Sequence, residues 1–273
     1  MKTIIIVATD FSAAAMNAAK YAADMALSIK ADLYLLHICP IPISYTEITM
    51  VIDMEALQQG AEGEMDEVCK ALTRQTADKV YIETKVITGS FFDELESACR
   101  EISPYAVVMG SQGTTAAQRL LFGGHTVHAM KHLLTPLITV PPNAHFGSLK
   151  RIGLACDFEK PVDILPIDEM IKMVKDFHAT LYVLNTGKKN VIDPEIVFQS
   201  RMLQEKLIDI KPVFNFITGD DTNDSIMDFA NKNEIDLLVV FPKRYGLLDT
   251  IIHKSHTRQF VLHSHVPVMA LQA

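Results

Sequence analysis

The sequence has no basic run longer than a pair, Lys150-Arg151 or Lys188-Lys189, and its 25 Lys+Arg are outnumbered by 33 Asp+Glu for a formal charge of −8. A dedicated nucleic-acid binder, which draws its affinity from a basic face, is therefore not expected. Long apolar runs are also missing: every stretch is strand-sized, well short of the roughly 20 residues that span a bilayer. The run Ile4–Ala8 behind Lys2 is halted by Thr9 and Asp10 before it reaches the length of a secretory signal core, and reads as a first buried strand. Cysteine is sparse. Cys39, Cys69, Cys99 and Cys156 form no CxxC pair and no metal-ligand spacing, so they read as reduced core residues of a soluble, cytoplasmic protein. No Gly-x-Ser-x-Gly elbow, His-Glu-x-x-His pair or Gly-x4-Gly-Lys-Ser/Thr loop occurs, which removes the motifs of serine hydrolases, zinc proteases and P-loop enzymes. What remains is a globular composition, 49% apolar and 21% charged over 273 residues, enough for one large domain or two modest ones.

Self-comparison decides between those. Ala8-Thr9-Asp10-Phe11 recurs as Ala155-Cys156-Asp157-Phe158 at an offset of 147, and Leu33-Tyr34-Leu35-Leu36 as Leu181-Tyr182-Val183-Leu184 at 148. Ile87-Thr88-Gly89 recurs as Ile217-Thr218-Gly219 at 130, after which His125-Thr126, His132 and Pro136 match His256-Thr257, His263 and Pro267 at 131. The chain reads as a duplication. The falling offset means that the second copy is about 18 residues shorter between its second and third strands, so the first copy carries a longer excursion around Cys39–Gly60. Pro141 to Ser148 is turn-rich and marks the linker, with the boundary near Asn143 and domains at 1–142 and 150–273.

In the first copy, short continuous apolar runs (Thr3–Ala8, Leu33–Ile38, Val80–Ile87, Tyr105–Met109, Leu137–Val140) alternate with amphipathic stretches at Ser12–Ile29, Met54–Thr76, Phe91–Ile102 and Gly124–Leu134. That order predicts a doubly wound α/β domain: a five-stranded parallel sheet with helices on both faces. Ligands of such sheets sit beyond the carboxyl ends of the strands, where the strand order switches. Those ends carry Ala8-Thr9-Asp10, His37-Ile38 and Met109-Gly110-Ser111-Gln112-Gly113; nine residues later Gly123-Gly124-His125-Thr126 opens the last helix. Glycines let backbone N–H groups approach an anion, and free amides at a helix start favour phosphate. Turn glycines and a helix cap would give the same Gly-x-x-Gly-x9-Gly spacing, so the pattern alone leaves both readings open.

The ordered series Ala8-Thr9-Asp10-Phe11-Ser12, Leu35 to Ile38, Val107 to Gly113, Leu120 to Thr126 and Pro136 to Val140 resembles a universal stress protein domain, and the repeat resembles that family's tandem members. The resemblance implies two tandem domains of the adenine nucleotide alpha hydrolase-like, Rossmann-like kind, pairing through their last strands, with an adenine nucleotide (ATP, ADP or AMP, with Mg²⁺ for ATP) bound in a nucleotide-sensing stress-response protein. It places adenine and ribose contacts on Ala8, Thr9, Asp10, Ile38 and Met109, and phosphate contacts on Gly110, Gly113, Gly123, Gly124, His125 and Thr126. Gly124 departs from the Ser or Thr usual after the third glycine; losing that hydroxyl costs a hydrogen bond of about 0.5–1.5 kcal/mol, roughly tenfold in affinity at most.

The second copy departs further. Phe241 and Arg244 stand where Gly110 and Gly113 stand in the first, and Lys254-Ser255 replace Gly123-Gly124, so no family-style ATP site is expected there. Lys243, Arg244 and Lys254 read as a solvated basic rim, or as side chains for an anion. His253, His256, His263 and His265 cluster near the C-terminus, but His256 and His263 have repeat partners in His125 and His132, which suggests packing rather than a metal. Ser90 reads as the N-cap of the third helix, with Asp93 complementing its dipole. No catalytic residue is assigned; slow ATP hydrolysis and a ligand-free interaction protein are the alternatives to a binding module. Leu137–Val140 and Val268–Leu271 are expected to pair internally as a pseudo-twofold dimer, with a homodimer also open.

Overall fold

A computed structural model describes residues 2–40, 53–111, 126, 128–130, 132–156, 166–185, 194–217, 222–241 and 264–272. The first strand, β1 (Ile4–Ala8), is apolar throughout and buried past its first residue, as a strand covered on both faces must be. It leads into α1 (Ala13–Ile29), where Ser12 accepts a hydrogen bond from Ala15 N at 3.2 Å and so satisfies one of the free amides of the first turn. The alanines of α1 combine high helix propensity with small side chains that let the helix lie close to the sheet. β2 (Asp32–Pro40), α2 (Met54–Thr76), β3 (Ile82–Gly89), α3 (Phe91–Ile102), β4 (Ala106–Gly110) and β5 (Leu137–Val140) follow.

The second run of strands comprises β6 (Arg151–Cys156), β7 (Thr180–Asn185), β8 (Val213–Phe216), β9 (Leu237–Val240) and β10 (Val268–Ala270). Among them lie α4 (Ile167–Asp176), α5 (Pro194–Lys206) and α6 (Thr222–Lys232). All ten strands form one sheet in the order β3-β2-β1-β4-β5-β10-β9-β6-β7-β8. Each run of five follows the same path outward from its last strand, and every pairing is parallel except β5 with β10. There Thr139, Ile138 and Leu137 oppose Val268, Met269 and Ala270 in antiparallel register.

Helices cover both faces. One core gathers Ala18, Ala22 and Met25 of α1, Met65 and Leu72 of α2, Met173 of α4 and Leu203 of α5. The other gathers Leu95 and Cys99 of α3, Met130 and Leu133, and Ile226 of α6 against the opposite side of the same strands.

Several details differ from the sequence reading. β2, β3 and β4 each run one or two residues further, because their ladders continue to Pro40↔Gly89 and Gly110↔Val140. The excursion is shorter at its far end, since Gly60 already lies inside α2; residues 41–52 fall outside the described residues. Ser90 occupies the N-cap position of α3 but its hydroxyl makes no capping bond; its carbonyl takes Glu94 N at 3.0 Å. The linker is tied down rather than loose. Asn17 Nδ2 donates to the carbonyls of Pro141 and Ala144 at 3.0 and 2.9 Å, and Phe146 packs edge-on against Tyr21.

Candidate functional site

The strand order reverses between β1 and β4, so the crevice beyond their carboxyl ends is where a ligand of this fold is received. On the β1 side the chain turns sharply. Thr9 Oγ1 accepts from Phe11 N and Asp10 Oδ1 accepts from Ser12 N, both at 3.1 Å, two consecutive side-chain turns that carry the chain from strand to helix. Between them Phe11 takes φ 61, a left-handed conformation that a bulky residue rarely adopts. Its ring stacks on His37 at 4.4 Å and 30°. His37 also holds the turn directly: its Nδ1 lies 2.8 Å from the Thr9 carbonyl, a contact that requires the proton on Nδ1. The register explains the meeting, since Ala8 pairs with Leu36 and the next residue of each strand falls side by side.

On the other side, Gly110 ends β4. A Cβ there would meet the backbone of Ala14 at 2.9 Å, so glycine is needed for the close approach of α1. Ser111 N donates to the Val140 carbonyl at 3.0 Å, extending the ladder past β4. Thr126, buried and helical, donates its hydroxyl to the Gly110 carbonyl over a long 3.4 Å. Residues far apart in sequence thus converge, with Ala8, Ile38 and Met109 forming a buried apolar wall in one cluster with Met130 and Leu133. Asp10 stands at its rim, half-buried, as a hydrogen-bond acceptor.

Of the contacts expected from the sequence, then, Ala8, Thr9, Asp10, Ile38, Met109, Gly110 and Thr126 gather around the crevice. Gly113, Gly123, Gly124 and His125 lie outside the described residues, as do Arg244, Lys254 and Ser255 of the second copy and His253, His256 and His263. Motif reading missed the work of His37 and Phe11, which shape the turn and were legible only as strand-end residues. Burial pushes the Cys39 thiol above its ordinary range, with the charge of Glu62 adding to it, and burial does the same at Cys99. Among the described residues no group of three or more His, Cys, Asp or Glu could hold a metal, and no helix is long and apolar enough to cross a membrane.

Residues 1–141 match the model of the universal stress protein family. The chain belongs to that family. Among solved structures, a universal stress protein from Archaeoglobus fulgidus DSM 4304 superposes with a TM-score of 0.75 at 17% identity, covering 98% of each chain. A putative universal stress protein from Pseudomonas aeruginosa UCBPP-PA14 gives 0.59 at 13% identity, covering 99% of this chain and 93% of its own. These likenesses extend the universal stress protein architecture over both runs of strands. No curated protein matches the sequence closely.

Proposed function

We propose that this universal stress protein binds an adenine nucleotide (ATP, ADP or AMP, with Mg²⁺ accompanying ATP) in its N-terminal domain, residues 1–142, and acts in the cytoplasm as a nucleotide-sensing module. The observation that carries the reading is the convergence at the β1/β4 switch of an apolar wall, an acid at its rim and the Thr126 hydroxyl tied to the end of β4. An apolar wall of Ala8, Ile38 and Met109 suits a base, and the Asp10 carboxylate suits a ribose hydroxyl or an adenine amino group. The phosphates fall to Gly113, Gly123, Gly124, His125 and Thr126 by sequence pattern. The Thr126 hydroxyl is available to them, because its bond to Gly110 is longer than an ordinary O–H···O contact and is readily exchanged. No residue of the site is assigned a catalytic role.

The second domain, 150–273, pairs with the first through β10 and β5, and we read the two as a pseudo-dimer in one chain. With Phe241, Arg244, Lys254 and Ser255 at the glycine positions, it takes no nucleotide in the family manner.

Denaturing the purified protein and resolving the supernatant by chromatography tests the reading. An adenine nucleotide is expected from the wild type and not from Gly113→Val or Gly123→Val. Absence of nucleotide, together with a melting temperature that ATP and Mg²⁺ do not move, would favour a ligand-free interaction protein. Product formation that tracks Asp10 substitutions would instead make it a hydrolase.

A further inference from the structure

One side chain joins the second run of strands to the helix of the candidate site. Gln272, two residues beyond β10, is buried, and its Nε2 donates to the Met130 carbonyl at 2.6 Å across 142 residues of sequence. Met130 is helical, as are Thr126, whose hydroxyl is tied to Gly110, His128, Ala129 and His132. Leu133 N takes the Ala129 carbonyl at 2.8 Å and the helix stops there, so Met130 belongs to the last turn, where carbonyls outrun the helix's own amides. Gln272 caps that end from the other half of the molecule.

The repeat position cannot make the reverse contact. At the repeat offset of 131 residues, Gln272 corresponds to Pro141 and Met130 to Val261. Proline has no side-chain donor, so the residue equivalent to Gln272 cannot return it; the Pro141 carbonyl instead accepts from Asn17. The direction of the clasp coincides with the direction of site retention. Its donor comes from the copy that has lost the glycines, and it holds a helix in the copy that keeps them.

We infer that Gln272 is a positioning residue for the nucleotide site of the first half, an inference that rests on the nucleotide reading above. Thr126 is tied to its own β4 and Met130 to the C-terminal tail. The tie at Met130 keeps Thr126 where a phosphate would meet it, and a helix that leaves this position part of the time weakens binding in proportion. The second half, without a site of its own, sets the affinity of the first.

The test is ATP–Mg²⁺ titration calorimetry on the full chain, well below unfolding, for wild type, Gln272→Met, Gln272→Glu and Thr139→Val, with amide exchange of 128–133 followed in the nucleotide-free proteins. Thr139 Oγ1 donates to the Val268 carbonyl at 3.2 Å, so its variant weakens the same seam while keeping the Gln272 bond to Met130. Gln272→Met is expected to bind ATP roughly 3- to 10-fold more weakly and Gln272→Glu at least as weakly, both with faster exchange in the helix. Thr139→Val is expected to lower the melting temperature while its affinity stays within about twofold of wild type. Gln272→Met binding like wild type, or Thr139→Val losing as much affinity, would overturn the inference and leave the nucleotide reading standing. A wild type that binds no ATP would overturn both, and needs no variant to be seen.

Discussion

Gly110 and Tyr21 show how residues are constrained by packing before any ligand is considered. Gly110 faces the Ala14 backbone at a distance no real Cβ tolerates, so Gly110→Val is expected to destabilise the fold by about 1–3 kcal/mol, read as a lower denaturant midpoint. Tyr21 is the opposite case. Its hydroxyl is buried with no hydrogen-bond partner among the described residues, and burial, with the charge of Asp236 second, pushes its ionisation far above the ordinary 10.0. Tyr21→Phe should therefore keep or raise the midpoint near pH 7, because an unpaired buried hydroxyl is lost and not a bond. The sign at alkaline pH follows from linkage. Below pH 10.0 the phenol is neutral in both folded and unfolded chains; above it the unfolded chain ionises first, so stability falls as pH rises. The Phe variant should show a shallower decline in denaturation midpoints between about pH 9 and 11; equal slopes would remove Tyr21 from the account. Thr9 and Asp10 are legible in the sequence as polar residues closing an apolar run. The left-handed Phe11 and the hold of His37 on Thr9 are not, since the first is a backbone conformation and the second a product of strand register.

Among the elements, α1 follows the Thr9–Ser12 turn at the crevice, and its start depends on Ser12. Ser12→Ala is expected to cost about 1 kcal/mol, measurable by urea titration, because the Ala15 amide loses its acceptor. The helices α2 and α3 are readable to the residue, since a 3.6-residue apolar stripe has clear limits and a polar residue, Asp53 or Ser90, precedes each. Strand ends are less readable. Pro40 and Gly89 look like breakers, yet they pair with each other at the last rung of the β2–β3 ladder, which sequence periodicity does not register. The linker misleads for a related reason: its prolines and glycine signal turns, while the Asn17 clamp and the Phe146 ring that fix it come from contacts with α1.

Over the whole molecule, the repeat dictates the architecture, because two copies of one strand order leave two short apolar edges that can meet. β5 and β10 do meet, and a chain cut after residue 142 would leave β5 bare. That fragment is expected to self-associate in light scattering, whereas a monomer would mean that β5 needs no partner. Two like halves share one sheet, and on the proposed function the first alone takes a nucleotide. Titration calorimetry of the full chain with ATP and Mg²⁺ decides this: one site per chain that vanishes in Gly123→Val is expected, and two sites per chain, or one that survives that substitution, would refute it.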